Sequence, residues 1–378
     1  MVIACTSPES PLVSQNAYMI RACPVSTDWV HLLRSAIMEH AKGLAWLMKK
    51  RVFSGARPTG RQHIGNYLGA IQNYVSLQAE YECVYCIVDL HALTTLQGIE
   101  GVKNLQQNVR EMILDWLAAG LDPKKSILFV QSEVPEVTEL HTLLSMTTPL
   151  GWLMRVPTFK DKVKMQPDNV NYGLLGYPVL MTSDIVLYKA EVVPVGEDQL
   201  PHLEVAREIV RRFNSLYGDT FPEPQPKLTH APMIVGLDGV QKMSKQLNNH
   251  IELAATAEET AQRIMTAYTD PTRKRRSDPG HPETCNIYHL HEAFEPVKTK
   301  DIPAQCRGAQ IGCVECKKLL AQEVNAALAP LRERRSELAT RPEYVRDVLS
   351  DGARRAQALA RETMREVKGR MNLIRKDT

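Results

Sequence analysis

The sequence predicts an α/β fold in which a domain built on a parallel sheet is followed by a helical domain. Three observations support this prediction. Short, continuously apolar segments alternate with helical patterns between residues 51 and 218, as in a parallel sheet covered on both faces. The strand pattern fades after about residue 235. The charge then separates, because residues 317–378 hold 15 Lys and Arg against 9 Asp and Glu, whereas the whole chain has a net charge of only +3.

The elements follow from the hydrophobic pattern and from the residues that interrupt it. Residues 1–47 form an N-terminal extension without a clear period until its last part, and we expect it to be partly disordered. Strands are predicted at 51–55, 83–93, 126–132 and 191–199, and helices at 62–80, 102–119, 136–149 and 200–217. Gly120 and Gly218 end two of these helices, and residues 179–188 fit either a strand or a helix. Residues 317–378 have a long helical pattern with few breakers.

Composition excludes several classes of protein. A chain of 378 residues that is 44% apolar can bury a large core. The small net charge argues against a basic nucleic-acid coat, so contacts with a polyanion must be local. No apolar run has the length of a membrane span, and the N-terminus lacks the pattern of a signal peptide. We therefore expect a cytoplasmic protein that does not enter a membrane.

Polar residues collect where the predicted strands end. The segments "GARPTG", "DLHALT", "QSEV" and "GEDQ" each follow an apolar run. In a Rossmann-like sheet, ligands bind outside the carboxyl ends of the strands. These segments are therefore the expected location of the chemistry.

The segment "RPTGRQHIGNYLGA" follows the first predicted strand. Its glycine spacing nearly matches a phosphate-binding loop, but Arg61 and Gln62 stand where that loop requires Lys and Ser or Thr. A tight turn into a helix start still offers free N–H groups to an anion. His63 and Asn66 add side-chain donors, and Gly65 permits a close approach to the backbone. A nucleotide site and an ordinary strand-to-helix turn both remain open on this segment alone.

A second polar segment, "GVQKMSKQLNN", carries Lys242 and Lys245 three positions apart. Two ammonium groups on such a loop suit a pyrophosphate group that gains charge during phosphoryl chemistry. A solvated turn is the alternative interpretation.

Taken together, the sequence resembles the class I aminoacyl-tRNA synthetases. "HIGN" stands for the first signature of that class, with Asn66 where many members have a second His, and "KMSKQ" stands for the second, with Gln246 where Ser is usual. The resemblance is closest to the bacterial tryptophanyl enzymes and covers Met48 to the C-terminus. It rests on "FSGARPTGRQHIGNYLGA", "VDLHALT", "GWLMRVPTFKDK", "GYPVLMTSDIVLY", "VPVGEDQLPHLEVAREIVRRFN", "KMSK" and "DPGHPETCNIYHLH" in that order.

The resemblance implies a tryptophan–tRNA ligase that forms tryptophanyl-adenylate from L-tryptophan and ATP and transfers the acyl group to tRNA(Trp). It implies Mg²⁺ as the counter-ion of the phosphates and a homodimer as the assembly. His63, Asn66, Lys242 and Lys245 would be catalytic. The implied ATP site also contains Arg57, Pro58, Thr59, Gly65, Gly196, Glu197, Asp198, Met233, Met243, Ser244 and Gln246.

Asp184 is the implied determinant of amino-acid specificity. It is a lone acid in the apolar run "MTSDIVLY", where a carboxylate is costly without a partner. The resemblance makes that partner the indole N–H of tryptophan. The alternative is an Asp on a helix surface near Lys189. His91 could face the same pocket or could be a satisfied structural histidine.

Four of the eight cysteines cluster near the C-terminal region as C-x20-C-x6-C-x2-C: Cys285, Cys306, Cys313 and Cys316. Four thiolates suit a tetrahedral Zn²⁺ or a [4Fe–4S] cluster equally well by ligand count. A subset of bacterial tryptophanyl enzymes has a similar motif for a [4Fe–4S] cluster, so the resemblance implies the cluster. Cys83 and Cys86 also form C-x2-C, but on a strand they face opposite sides, and we interpret them as core residues.

The predicted domains are therefore the extension at 1–47, a Rossmann-like catalytic domain at 48–235, and a region at 236–378. The last region contains the "KMSK" loop and a helical domain that would bind the tRNA anticodon, with terminal helices that could pack back on the catalytic domain. Basic "RKRR" at 273–276 would suit RNA phosphates or could be a solvated loop. Two other functions stay open: a tyrosine-specific synthetase, and a non-catalytic paralogue that binds tryptophan or RNA.

Overall fold

The structure is a computed structural model that describes residues 49–156, 159–160, 163–164, 167–228, 234–294 and 298–374. The predicted extension at 1–47 lies outside the described residues. Within these ranges, no helix is long and apolar enough to cross a membrane.

A parallel sheet is the centre of the fold. Its strands are β1 (Arg51–Ala56), β2 (Glu82–Ile87), β3 (Ser126–Val130), β4 (Val192–Val195) and β5 (Gln225–Leu228). They pair in the order β3-β2-β1-β4-β5, and every pairing is parallel. The predicted α/β class is confirmed, since helices cover both faces of this sheet.

Helices connect the strands. They are α1 (Ile64–Asn66), α2 (Gln72–Leu77), α3 (Asp89–Ala92), α4 (Gly98–Val102), α5 (Leu105–Ala119), α6 (Glu136–Ser145), α7 (Leu150–Arg155), α8 (Tyr172–Leu187) and α9 (Leu200–Tyr217). A π-helical turn (Tyr67–Ile71) joins α1 to α2, so the helix predicted at 62–80 is not regular throughout. Gly120 and Gly218 end α5 and α9 with φ of 111° and 90°, as predicted, because glycine adopts this conformation without steric cost.

Beyond the sheet the chain is helical. The helices are α10 (Ala257–Met265), α11 (Asn286–Phe294), α12 (Ile302–Arg307), α13 (Cys313–Ala339) and α14 (Pro342–Arg370). Helix α13 packs against α5 and α10, while α14 packs against β3 and α6.

Alternation along the strands divides the interior into two cores. Val52, Cys83 and Tyr85 belong to the core on the side of α5 and α13. Phe53 and Cys86 belong to the core on the side of α6, α8, α9 and α14. Cys83 and Cys86 are both buried and lie in different cores, which confirms their interpretation as core residues.

Three predicted strands end earlier than expected, and one of them is the strand predicted at 191–199, which ends at Val195. The run at 83–93 leaves the sheet after Ile87, and the run at 126–132 leaves it after Val130. The Leu90 N–H donates to Asp89 Oδ1 at 3.0 Å and to Gln131 Oε1 at 3.1 Å. Side-chain acceptors therefore replace the ladder bonds at these strand ends, and the chain turns toward the ligand-binding edge.

The structure resolves one ambiguity and adds one strand. Residues 179–187 are helical, and α8 is buried on most sides, which removes the amphipathic pattern that would have indicated a helix. Strand β5 was not predicted. It is an edge strand with largely exposed side chains, so its sequence "QPKL" lacks an apolar run.

Helix α14 lies so close to β3 that only glycine fits at one position. A Cβ at Gly352 would lie 1.8 Å from the Leu128 carbonyl oxygen. The close approach lets Ala353, Ala356 and Ala360 bury against this edge of the sheet. Arg355 Nη1 also donates to the carbonyls of Pro123 at 2.8 Å and Ser126 at 3.3 Å.

We predict that Gly352→Ala lowers the free energy of unfolding by roughly 1–3 kcal/mol or more, since the helix must move away from β3. Scanning calorimetry measures the effect. Gly369→Ala in the same helix is the control, because the nearest atom to its added Cβ is 4.0 Å away. Equal melting temperatures for the two variants would contradict the close packing.

Candidate active site

The ends of β1 and β4 form the centre of the candidate site. Strand β1 pairs with β2 on one side and with β4 on the other. From β1 the chain therefore adds strands in one direction, through β2 to β3, and then adds β4 and β5 on the opposite side of β1. Ligands of open parallel sheets bind at such a switch point. Arg57, Pro58 and Thr59 follow β1, and the segment 196–198 follows β4.

His63 and Asn66 hold the start of α1 in place. The Asn66 N–H donates to His63 Nδ1 at 3.3 Å, and the His63 N–H donates to Asn66 Oδ1 at 3.1 Å. This reciprocal cap satisfies two N–H groups that a helix start leaves unpaired. Because Nδ1 accepts a hydrogen bond, Nε2 carries the proton of the neutral ring.

The "KMSK" loop lies next to this helix start. The Ile64 N–H donates to the Ile251 carbonyl at 3.0 Å, and the Leu253 N–H donates to the Gln62 carbonyl at 2.9 Å. A short antiparallel pairing, centred on His63 and Glu252, thus joins the first signature segment to the residues that follow the "KMSK" loop. The structure therefore brings together two segments that sequence analysis selected independently.

Within the loop, Met243 is buried and Lys242 and Gln246 are exposed. The Met243 N–H donates to the Ile234 carbonyl at 2.9 Å, and the Ser244 N–H donates to Asn249 Oδ1 at 2.7 Å. Backbone contacts therefore shape the loop, and Lys242 remains on its outer side.

Lys245 lies over the turn that follows β1. A Cβ at Gly60 would come within 3.0 Å of Lys245 Nζ, and Gly60 has a φ of 133°. A Cβ at Gly65 would lie 3.3 Å from the Met243 Cβ. Glycine at these two positions lets the loop approach both the turn and α1.

Positive charge and burial shift two pKa values in this region. Burial, together with nearby Lys245, His250 and Lys242, lowers the pKa of His63 to about 4. Burial also lowers the pKa of Lys245 to about 8, against the opposing effects of Glu252 and Asp115. His63 is therefore neutral at pH 7, and the site is prepared to receive negative charge.

The segment after β4 is more open. Glu197 and Asp198 are exposed on a 3₁₀ turn, and Asp198 Oδ2 accepts a hydrogen bond from Gln199 Nε2 at 2.9 Å. A Cβ at Gly196 would come 2.7 Å from Asp198 Oδ1. Met233, the remaining residue of the predicted ATP site, lies outside the described residues.

Asp184 is buried, so its interpretation as a surface residue near Lys189 is wrong. Only 2% of Asp184 is exposed, and Lys189 pairs with Glu366 instead. Gln131 Nε2 donates to both carboxylate oxygens of Asp184 at 2.8 Å, and His91 Nε2 lies 2.9 Å from Oδ2. These contacts satisfy the carboxylate and leave a lone pair on Oδ1.

Sequence analysis did not identify Gln131 as part of this group. Its Oε1 accepts from the backbone N–H groups of Leu90 and His91, while its Nε2 holds Asp184. The available signal was a polar amide directly after the apolar run "SILFV", at the ligand-binding end of a predicted strand. His250 was also missed; its ring centre lies 6.0 Å from that of His63.

The four clustered cysteines are half-buried. Burial, together with the nearby thiols of Cys285, Cys306 and Cys313, raises the pKa of Cys316 to about 12. Within the described ranges, no three His, Cys, Asp or Glu side chains are gathered closely enough to hold one metal ion.

Two basic side chains point at these sulfurs. Arg273 Nη1 lies 4.0 Å from Cys306 Sγ and 3.9 Å from Cys313 Sγ. His291 Nε2 lies 3.4 Å from Cys316 Sγ, and its Nδ1 is 2.6 Å from Glu323 Oε2. A cavity of about 540 Å³ beside them is lined by residues 273–276, 312–315 and Lys318.

Known proteins resemble this chain over most of its length. A family model for class I tRNA synthetases (W and Y) matches residues 48–329. The tryptophan–tRNA ligase of Thermotoga maritima is 46% identical over 330 residues, which cover 86% of this chain and 99% of the relative. The tryptophan–tRNA ligase of Aquifex aeolicus is 40% identical, and the match covers 85% of this chain and 100% of the relative.

A solved structure supports the same relationship. The tryptophanyl-tRNA synthetase of Campylobacter jejuni, complexed with ADP and tryptophan, has a TM-score of 0.77 and 34% sequence identity. That comparison covers 85% of this chain and 99% of the other chain.

We predict that the His63 ring stays neutral down to about pH 4, which NMR titration of its carbon-bound protons measures. Lys245→Met should raise this pKa but leave it below 6.5, because burial is the larger cause. Lys274→Met, on a distant exposed lysine, should leave it unchanged. A wild-type pKa near 6.5 would contradict the burial of the ring.

Proposed function

The chain belongs to the class I tryptophan–tRNA ligases, and on that premise we propose how its own residues activate tryptophan and bind its partners. In this reaction the carboxylate of tryptophan attacks the α-phosphorus of ATP, and pyrophosphate leaves with the electrons of the broken P–O bond. The acyl group then passes from the adenylate to the 2′-hydroxyl of the terminal ribose of tRNA(Trp), and AMP leaves. The protein needs only to position reactants and stabilise charge.

The ATP site is assigned to the edge where β1 and β4 end. Arg57, Pro58, Thr59, Gly65 and Asn66 would line one side of the nucleotide, and the 196–198 segment with Met233 would line the other. The observation that carries this assignment is the direct backbone pairing of the His63 and Glu252 segments.

Charge stabilisation is assigned to His63, Lys242 and Lys245. The Nε2–H of neutral His63 would donate to a phosphate oxygen, while the two ammonium groups would balance the charge that develops on pyrophosphate. Ser244 and Gln246 would contact the same group through the "KMSK" loop. Mg²⁺ would be held mainly by the phosphates, since it keeps several waters and needs few protein ligands.

Recognition of the tryptophan side chain is assigned to Asp184. The indole N–H is a donor without acceptor function, and the open lone pair on Asp184 Oδ1 would accept it. Gln131 and His91 would keep the carboxylate in position. A side chain without a donor, such as phenylalanine, would leave this buried acceptor unsatisfied, which strongly disfavours it.

ATP–pyrophosphate exchange tests the function. We predict exchange with tryptophan and little with tyrosine or without amino acid. Asp184→Asn should lower kcat/KM for tryptophan about 10- to 100-fold, the effect of one hydrogen bond to a charged group, with the KM for ATP nearly unchanged.

Asp347→Asn, on the exposed face of α14, is the control and should retain full exchange. Exchange with tyrosine alone would instead support a tyrosine-specific enzyme. No exchange with either amino acid would support a non-catalytic paralogue.

We also propose that Cys285, Cys306, Cys313 and Cys316 bind a [4Fe–4S] cluster, with Zn²⁺ as the alternative. Four thiolates fit either centre by ligand count, and the resemblance to tryptophanyl enzymes with a similar cysteine motif favours the cluster. The donors on Arg273 and His291 suit its sulfur atoms. When bound, the cluster would tie α12 and α13 to the segment before α11.

Iron and sulfide analysis of anaerobically purified protein, together with its visible spectrum, tests this proposal. We predict a brown protein that contains iron, and a loss of iron and colour in Cys316→Ser. Cys83→Ala, in the core of the sheet domain, should keep its iron. A colourless protein that contains zinc would contradict the cluster and support the alternative.

The remaining partners follow from the same membership. The basic lining of the cavity at 273–276 would bind phosphates of the tRNA near its anticodon.

Exposed apolar side chains at Met146, Leu150 and Met154 would form part of a homodimer interface. A monomeric mass of 42.5 kDa in light scattering would exclude the homodimer. We expect the enzyme to work in the cytoplasm, where tRNA is aminoacylated.

A further inference from the structure

One turn of α13 carries two arginines that contact elements adjacent to the two signature segments. Arg335 Nε donates to Asp115 Oδ1 on α5 at 2.6 Å, and its Nη2 pairs with Glu111. Asp115 is completely buried, and the Arg335 side chain is only 16% exposed. Helix α13 is therefore attached by ion pairs to α5, the helix that lies beneath the turn after β1.

The second arginine reaches the segment that follows the "KMSK" loop. Arg332 Nε donates to the Leu253 carbonyl at 3.3 Å, and its Nη2 donates to Thr260 Oγ1 at 2.7 Å. A third bond, from Nη1 to Asn325 Oδ1 at 2.7 Å, fixes the guanidinium on its own helix. Leu253 and Thr260 are fully buried, so these contacts are shielded from water.

Both arginine contacts lead to residues 61 and 62, which directly precede His63. The Leu253 N–H donates to the Gln62 carbonyl at 2.9 Å. On the other side, Glu111, which pairs with Arg335, also pairs with Arg61, whose Nε lies 3.8 Å from Glu111 Oε2. The segment just before His63 is thus tied to α13 by two routes, one through Leu253 and one through Glu111.

We propose that Arg332 and Arg335 form an arginine clamp, which positions the His63 segment against the "KMSK" loop and couples the helical region to the rate of tryptophan activation. The proposal rests on the proposed function of that site. Both arginines are positioning residues, since they act through Leu253 and Glu111 and do not touch the reactants.

The energetics of buried ion pairs favour a role for the two arginines in positioning the site over a role in stabilising the fold. A buried ion pair has a desolvation cost that often equals or exceeds its attraction, so apolar residues of similar size can replace it with little loss of stability. Misplacement of reacting groups by a distance of the order of 1 Å can slow an enzyme by about 100-fold. A buried Arg335–Asp115 pair next to a signature segment is therefore expected to affect rate more than stability.

The test compares the wild-type full-length chain with Arg335→Met, Arg332→Met and the double variant Asp115→Leu/Arg335→Met. We expect each to lower kcat of tryptophan-dependent ATP–pyrophosphate exchange about 10- to 100-fold, with the KM for tryptophan changed by less than about twofold. The double variant should keep a melting temperature close to that of the wild type, because it leaves no unpaired charge at residue 115. Arg335→Lys should restore part of the rate.

Arg361→Met is the matched control. Arg361 on α14 pairs with Glu136 on α6 at 3.1 Å, so it also joins a C-terminal helix to the sheet region, but it makes no contact with residues 61 and 62 or their partners. We expect this control to keep the wild-type kcat.

The outcomes separate the clamp from the function on which it rests. A wild-type chain without tryptophan-dependent exchange would overturn the proposed function itself. A wild-type chain with exchange, and clamp variants with unchanged kcat, would overturn the clamp alone. The clamp would also be overturned if kcat fell in parallel with the melting temperature and fell equally in Arg361→Met. The two arginines would then contribute only to packing.

Discussion

Two backbone hydrogen bonds hold the candidate site together. They join Ile64 to Ile251 and Gln62 to Leu253, residues that lie far apart in the sequence. The parallel sheet positions only the first partner of each bond, at the end of β1. The second partner belongs to a region whose described residues form helices and loops. It is brought in by α10, which packs on α13, and by α13, which packs on α5. The relation of Lys245 to Gly60 and the approach of Met243 to Gly65 both follow from this pairing.

The same pairing explains the electrostatics. It places His63 and Lys245 in a partly buried region near His250. Burial lowers the pKa of both side chains, and the positive charge of Lys245 and Lys242 lowers that of His63 further than burial alone. Buried Asp115 and half-buried Glu252 supply the negative charge that acts on Lys245. A triphosphate would add negative charge beside the lysine and raise its pKa, so binding would stabilise the charged ammonium group.

The sequence could predict the class of the fold and most element types, because continuous apolar strands and glycine helix ends are local signals. It also selected Asp184, whose isolation in an apolar run indicated a need for a partner. The residue that partners Asp184 could not be predicted from the sequence. Gln131 lies at the end of another strand, and its two roles depend on how β3 and α8 pack together. Strand β5 was missed because an exposed edge strand needs no apolar run. The arginine clamp was equally invisible, because charges on a long helix look like a solvated face until the packing of α13 on α5 is known.

The position of α14 has a consequence for the order in which the protein matures. Strand β3 is an edge of the sheet, and an uncovered edge can pair with any other extended chain. Its cover is encoded in residues 342–370, whereas the strand itself is complete by residue 130. During synthesis, the residues between them therefore leave the ribosome with this edge still open. Helix α14 covers the edge, and the glycine at position 352 allows the close contact, so the sheet becomes protected from aggregation when α14 has been made and has folded.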